Sequence, residues 1–189
     1  MPTLTDEIQK HYGRFLGVPS AKYSMSLSGY PTQSYHLLEY KDVPCQGAVT
    51  LATLGLSDMP LHMFRQEFAF LCYDQFISDD LIRLLTVVAG MISESNHPLL
   101  HGSVLPPAGP LLEYTPMESL YVGTLMYFNT SEENFDVLKA NDLTVLISWL
   151  LPIYSSEANW ISQHGYDDFE SLIVERDPDL MDLERPPII

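Results

Sequence analysis

Apolar residues change their period along this chain, and each change marks an element. Ile8, Tyr12, Phe15 and Leu16 recur at steps of three and four behind Thr5, with Asp6 and Glu7 in the first turn. That spacing predicts a helix capped by Thr5. "GVPSAKYSMSLSGYPTQ" has the Ser, Gly and Pro content of a loop. "SYHLLEYK" and "GAVTLATL" read as strands joined by "DVPCQ", and "RQEFAFLCY" as a third. The third places Phe68, Phe70 and Cys72 on one face and Ala69, Leu71 and Tyr73 on the other. Both faces are apolar, so the strand is expected to be covered on both sides.

Ser78 opens the most regular helical pattern. Asp79 and Asp80 follow it, and Leu81, Leu84, Leu85, Val88, Met91 and Ile92 form one stripe. "HPLLHGSVLPPAGPLL" reads as a connection with short extended pieces, and "SLYVGTLMYF" and "LTVLISWLLPIY" as two further strands. Ser155 is the expected cap of a short helix ending at Gly165. Asp167 and Glu170 have the spacing of a reciprocal cap for a last helix, which buries Phe169, Leu172 and Ile173. The expected fold class is α+β (α/β mixed): one domain over residues 1–189, with a mixed sheet and about four helices.

Composition narrows the function classes. The formal net charge is −16, which disfavours direct nucleic-acid binding and anionic membranes, since both need clustered Lys and Arg. From Asp167 to Glu184 eight carboxylates face one Arg. Such a surface attracts a basic partner and speeds encounter with it. No apolar run reaches the ~20 residues of a membrane span, and the first residues lack the pattern of a signal peptide. With two cysteines, Cys45 and Cys72, a cytoplasmic, reducing location is expected, with no disulfide between them.

The candidate chemistry is sparse. Gly55-Leu56-Ser57-Asp58 ends a strand as a nucleophile elbow does, but Met59 replaces the second Gly of Gly-x-Ser-x-Gly and Pro60 follows. A phosphate loop would need a second Gly and a Lys. The expectation is therefore a structural turn: Gly55 frees the backbone, and Ser57 and Asp58 side chains accept local N–H groups. His97 and His101 are four apart, yet Pro98 stands where a metalloprotease has its Glu, and neither Cys belongs to a paired motif. Asp79/Asp80, Glu132/Glu133 and Asp167/Asp168 sit at turns or helix starts, where acids favour the helix dipole. Trp149 is expected in the core; Trp160 and the eleven tyrosines include candidate interface anchors. No catalytic residue, cofactor site or metal site is expected.

"VTLATLGLSDMPL" resembles the strand-turn motif of the Suppressor of fused (SUFU-like) domain family, in which a strand ends in Gly-Leu-Ser-Asp. "RQEFAFLCY" resembles the family's next strand, though with fewer charged residues. "ISDDLIRLLTVVAGMISESNHPLLHGSVL" is similar to its long Leu-bearing helix and the Gly/His turn beyond. "TVLISWLLPIYSSEANWISQHGYDDFESLIVE" resembles its late strand and final helices, and "MDLERPPII" its closing Asp-x-x-Arg, here Asp182 and Arg185. The likeness runs in order from about residue 45 to 189, and 106–142 matches no motif. Residues 1–44 are expected to supply the N-terminal helix, loop and first strand of the same domain.

The resemblance implies protein binding and no catalysis. It implies the bacterial single-domain type, whose members look like cytosolic immunity proteins that neutralise a cognate polymorphic toxin by blocking its active site or its access to substrate. The alternative it implies is an intracellular scaffold or sequestration protein that captures an extended peptide of a regulatory partner. The partner expected is a basic protein, with no nucleic acid and no membrane; the oligomeric state is left open. His62, Asp167, Asp168, Glu170, Asp177 and Asp179 are the candidate partner-binding residues.

Overall fold

Residues 65–73, with their two apolar faces, become the centre of the structure. The computed structural model describes residues 2–27, 30–58, 64–106, 109–130, 133–140 and 142–189. Its elements run α1 (Leu4–Phe15), β1 (Ala21–Leu27), β2 (Tyr30–Lys41), β3 (Ala48–Leu54), β4 (Arg65–Tyr73), α2 (Asp79–Ser95), β5 (Val104–Leu105), β6 (Ser119–Gly123), β7 (Val137–Ala140), β8 (Leu143–Ile153), α3 (Ser155–His164) and α4 (Tyr166–Arg176). The described residues thus form an α+β fold with a mixed sheet of eight strands in the order β1-β2-β3-β4-β8-β6-β5, with β7 also paired to β8. The strands β1 to β4 are antiparallel neighbours, while β4 and β8 run parallel from Arg65↔Val145 to Ala69↔Trp149. The opposite edge of β8 is shared, Leu143–Leu146 taking β7 and Trp149–Ile153 taking β6.

Both faces of β4 are buried, as its sequence predicts. Phe68, Phe70 and Cys72 meet Leu81, Leu85, Val88, Ala89 and Ile92 of α2. Ala69 and Leu71 lie in the other layer, with Ile8 and Tyr12 of α1, Ile161 of α3, and Phe169 and Ile173 of α4. Trp149 is buried in this second layer, and Trp160 packs partly against it. Both cysteines are free, Cys45 exposed and Cys72 buried, where desolvation pushes the thiol up to about 12.

Several local expectations are corrected. Part of the predicted loop is strand β1, whose exposed Lys22, Ser24 and Ser26 alternate with the half-buried Tyr23 and Met25 and the buried Leu27. That period of two outweighs the loop-like composition. Strand β6 stops at Gly123, since the N–H of Leu125 turns aside to donate to Asp136 Oδ1 at 2.8 Å. Thr3, not Thr5, caps α1: its hydroxyl accepts from Asp6 N, while Asp6 Oδ2 accepts from Thr3 N. Tyr154, not Ser155, is the N-cap of α3, and Glu157 accepts from its N–H at 2.9 Å. Helix α4 starts directly after Gly165, at φ +90°, with no side-chain cap; Asp167 lies in its first turn and Glu170 is engaged elsewhere.

Beyond α4 the chain returns into the core. Leu180, Met181 and Ile188 pack in the layer of α1, α3 and α4, whereas Leu183 packs in the layer of α2. Tyr73 N donates to Met181 O at 3.2 Å, and Thr115 Oγ1 donates to Leu183 O at 2.7 Å. This segment therefore joins the end of β4 to both layers.

Candidate functional site

The Gly55–Asp58 turn is organised by a residue that sequence spacing does not suggest. Gly55 takes φ +107°, a left-handed conformation that favours glycine, and a short 3-10 turn follows over Leu56–Asp58. The N–H groups of Gly55 and Ser57 both donate to Glu67 Oε1, at 2.9 and 3.0 Å, and Thr53 Oγ1 donates to Glu67 Oε2 at 2.6 Å. Glu67 is fully buried on β4. Burial raises its pKa, against the hydrogen bonds from Thr53, Ser57 and Gly55 that lower it.

The N–H groups of Gly55 and Ser57 are thus satisfied by Glu67 and not by Asp58. Among the described residues its carboxylate accepts from Thr5 Oγ1 at 3.5 Å, and the side chain is exposed. Asp58→Ala is expected to shift stability by less than ~0.5 kcal/mol in urea unfolding, as for an ordinary surface change. A loss above ~1 kcal/mol would restore Asp58 as the organiser of the turn. Ser57 is 0% exposed, so no substrate reaches its hydroxyl.

The closing Asp-x-x-Arg separates into two roles. Asp182 Oδ1 accepts from Glu184 N at 2.9 Å and shapes a local turn. Arg185, 2% exposed, makes a two-pronged pair with the fully buried Glu157: Nη1 to Oε1 at 2.8 Å and Nη2 to Oε2 at 2.9 Å. The Arg185 fork also donates to Pro186 O and Pro152 O, and lies 5.7 Å from the Tyr154 ring centroid. Glu157 completes its set by accepting from the N–H of Ile188 at 2.8 Å.

The candidate partner-binding residues do not form one surface. Asp167 and Asp168 are exposed at the start of α4, and Asp177 and Asp179 are exposed beyond its end. Eleven residues at ~1.5 Å each set the two groups roughly 16 Å apart. Glu170, between them, is turned inward: its Oε1 accepts from Tyr121 OH at 2.8 Å and lies 3.2 Å from His101 Nε2. Glu170 is thus half-buried and already bonded within the fold. His62 lies outside the described residues.

The carboxyl-terminal group has aromatic company. Tyr73 OH donates to Asp179 Oδ2 at 2.6 Å, and that bond pushes the phenol up to about 12. Tyr127 stands edge-on to Trp149 with centroids 5.9 Å apart; burial raises its pKa first, then the carboxylates of Asp179 and Asp177. Met126 beside it is 44% exposed. Asp177, Met126 and Tyr127 are each exposed, and the charges of Asp179 and Asp177 reach the Tyr127 phenol.

The remaining acid–base candidates are structural. Asp79 and Asp80 occupy the first turn of α2, with Asp80 paired to Arg83 at 2.7 Å. Glu133 pairs with Arg14 at 3.2 Å, and Glu132 lies outside the described residues. Helix α2 ends at Ser95, so His97 and His101 share no helical turn. Among the described residues no group of three His, Cys, Asp or Glu is placed to hold a metal ion, and no helix is long and apolar enough to cross a membrane.

Comparison with known proteins follows this geometry. The sequence pattern of the family described as Suppressor of fused protein (SUFU) matches residues 31–186. None of the curated proteins matches the chain. Among solved structures, a SUFU homologue from Neisseria gonorrhoeae superposes with a TM-score of 0.76 at 15% identity, covering 98% of this chain and 96% of the other. A chain of the Sufu–Fu complex gives 0.68 at 14% identity, covering 98% and 90%. Drosophila Suppressor of Fused gives 0.68 at 14% identity, covering 98% of this chain and 50% of that protein.

Proposed function

The chain belongs to the Suppressor of fused protein (SUFU) family, and from that membership we propose that it works by binding another protein and not by turning over a substrate. A related fold occurs in a complex with a protein partner, the Sufu–Fu complex. In the finer reading the chain is a cytoplasmic immunity protein that neutralises a cognate toxin domain, basic where it meets this protein. The observation that carries the reading is the exposed pair Asp177 and Asp179 beyond α4, whose charges act on the exposed Tyr127. Tyrosine and methionine supply apolar contact, and the carboxylates attract Lys and Arg and steer the approach. A nuclease toxin fits this partner chemistry, because a site that binds phosphates is basic.

Co-expression with the product of the neighbouring reading frame tests this. That product should be toxic alone, harmless beside this protein, and recovered in complex with it. Tyr127→Ala with Asp177→Asn should weaken the complex at least tenfold, with the melting temperature measured alongside to show that the variant is still folded. A harmless product, or a pair that does not co-purify, removes the immunity reading.

A second reading rests on β1. It is a terminal strand of the sheet and, among the described residues, pairs with β2 alone, which leaves its outer edge for the extended segment of a regulatory partner. Under this reading a short linear peptide binds as tightly as the folded partner that contains it.

A further inference from the structure

Helix α2 covers one face of the sheet, opposite the layer that holds α4. Its inner side is buried through Leu81, Leu85, Val88 and Ile92, but its apolar character does not stop there. Leu84 is half-buried, and Val87 and Met91 are 56% and 46% exposed. These three follow one another at steps of three and four, so they form a stripe about 10 Å long on the outer side.

The stripe borders a groove. Leu84 and Val87 form one wall, and Pro110, Leu111 and Leu112 the other, with about 370 Å³ of open space between them. The second wall is held in place before any partner arrives. Tyr114 OH donates to Phe76 O at 2.6 Å, and its ring stacks on Phe76 with centroids 5.8 Å apart. Leu111 N donates to Met117 O at 2.9 Å, and Leu112 is buried. A preformed apolar groove avoids the ordering cost that weakens binding to a loose one.

The rim is acidic. Asp80 and Glu113 line the groove, and the lining cation, Arg83, is already paired to Asp80 at 2.7 Å. With two carboxylates against one guanidinium the lining is net negative, so an acidic partner segment is disfavoured there and Lys or Arg is favoured, chiefly at Glu113.

We propose that the groove between α2 and residues 110–113 is a second docking surface, taking a basic amphipathic helix of a partner protein. An aliphatic side chain of that helix sits between Val87 and Leu111, and its flanking Lys or Arg face Asp80 and Glu113. The stripe on α2 matches two turns of such a helix, and neither wall offers an open strand edge to an extended segment. The groove and the surface beyond α4 lie on opposite sides of the sheet, so both can be occupied at once.

The test uses the full chain and two 14-residue helical peptides, one of Leu and Lys, the other of Leu and Glu in the same pattern. Titration calorimetry, with amide NMR shifts to locate the contact, should give one Leu/Lys peptide per chain and shifts along residues 84–91 and 110–113. Val87→Asn and Glu113→Gln should each weaken that binding, Val87→Asn by tenfold or more. Met91→Gln, also exposed, gives an independent change on the same stripe and should weaken binding in the same direction. Tyr127→Ala with Asp177→Asn should leave it unchanged, which separates this surface from the one proposed above. Equal binding of the Leu/Glu peptide, or wild-type affinity in Val87→Asn and Met91→Gln, overturns the proposal. So do shifts confined to α4, which would mean that net charge alone holds the peptide.

Discussion

Replacing Arg185 with Ala is expected to destabilise the fold by about 3–5 kcal/mol, the cost of stranding a buried charge without its partner. The magnitude follows from burial: Arg185 is 2% and Glu157 0% exposed, so water cannot screen the charge left behind. It also follows from geometry, since two parallel bonds of 2.8 and 2.9 Å fix the guanidinium plane against the carboxylate. Lysine cannot reproduce that fork, so Arg185→Lys should fall between wild type and Arg185→Ala. The measurement is the urea midpoint with an unchanged slope. Glu157→Met combined with Arg185→Met should recover only part of the loss. The double change removes both charges, but Glu157 also accepts the N–H groups of Tyr154 and Ile188, which would remain unpaired. A single Arg185→Ala costing less than ~1 kcal/mol would show that the pair does not hold the fold.

Glu67→Ala is expected to cost roughly 3 kcal/mol, because two N–H groups, of Gly55 and Ser57, lose their acceptor at about 1–3 kcal/mol each. Glu67→Gln tests the charge separately, since an amide oxygen can accept both bonds. Burial raises the Glu67 pKa in the folded chain, while the unfolded chain ionises near the ordinary value of about 4.3. Between those two values the folded state holds a proton that the unfolded state has released, so stability falls as pH rises. The contribution of Glu67 is complete below the unfolded value and is lost as pH climbs through the folded one. Wild type should therefore lose stability relative to Glu67→Gln as pH is raised from about 4, measured as paired melting temperatures in one buffer series. A difference that is flat with pH, or that moves the other way, would show that Glu67 keeps an ordinary pKa.

These two residues also show what the sequence could disclose. The sandwich around β4 was legible because alternate apolar residues need cover on both faces, and Ser78 with two aspartates announced α2. Strand β1 was hidden by the Ser, Gly and Pro content of its segment, although Tyr23, Met25 and Leu27 keep a period of two. The four-residue strand β7 is too short for periodicity to distinguish. Helix caps shifted by one or two residues because Thr3 and Tyr154 compete with equally plausible neighbours. The partner of Gly55 and Ser57 was out of view for a different reason: Glu67 is one acidic residue inside an apolar strand, ten positions beyond Ser57. Glu157 and Arg185 stand 28 positions apart with no local pattern to join them. The motif Asp-x-x-Arg drew attention to Arg185 but suggested Asp182 beside it, and only the three-dimensional fold identifies Glu157 as its counter-charge.

The segment beyond α4, which reaches both apolar layers, has a consequence for biosynthesis. A ribosome delivers it after every strand and helix of the fold has been made. The register of β4 with β8 spans 80 positions, and the buried Glu157 gains its guanidinium only from a residue 28 positions later. The buried pair and the packing of Leu180, Met181, Leu183 and Ile188 can therefore form only after the elements they join have been synthesised.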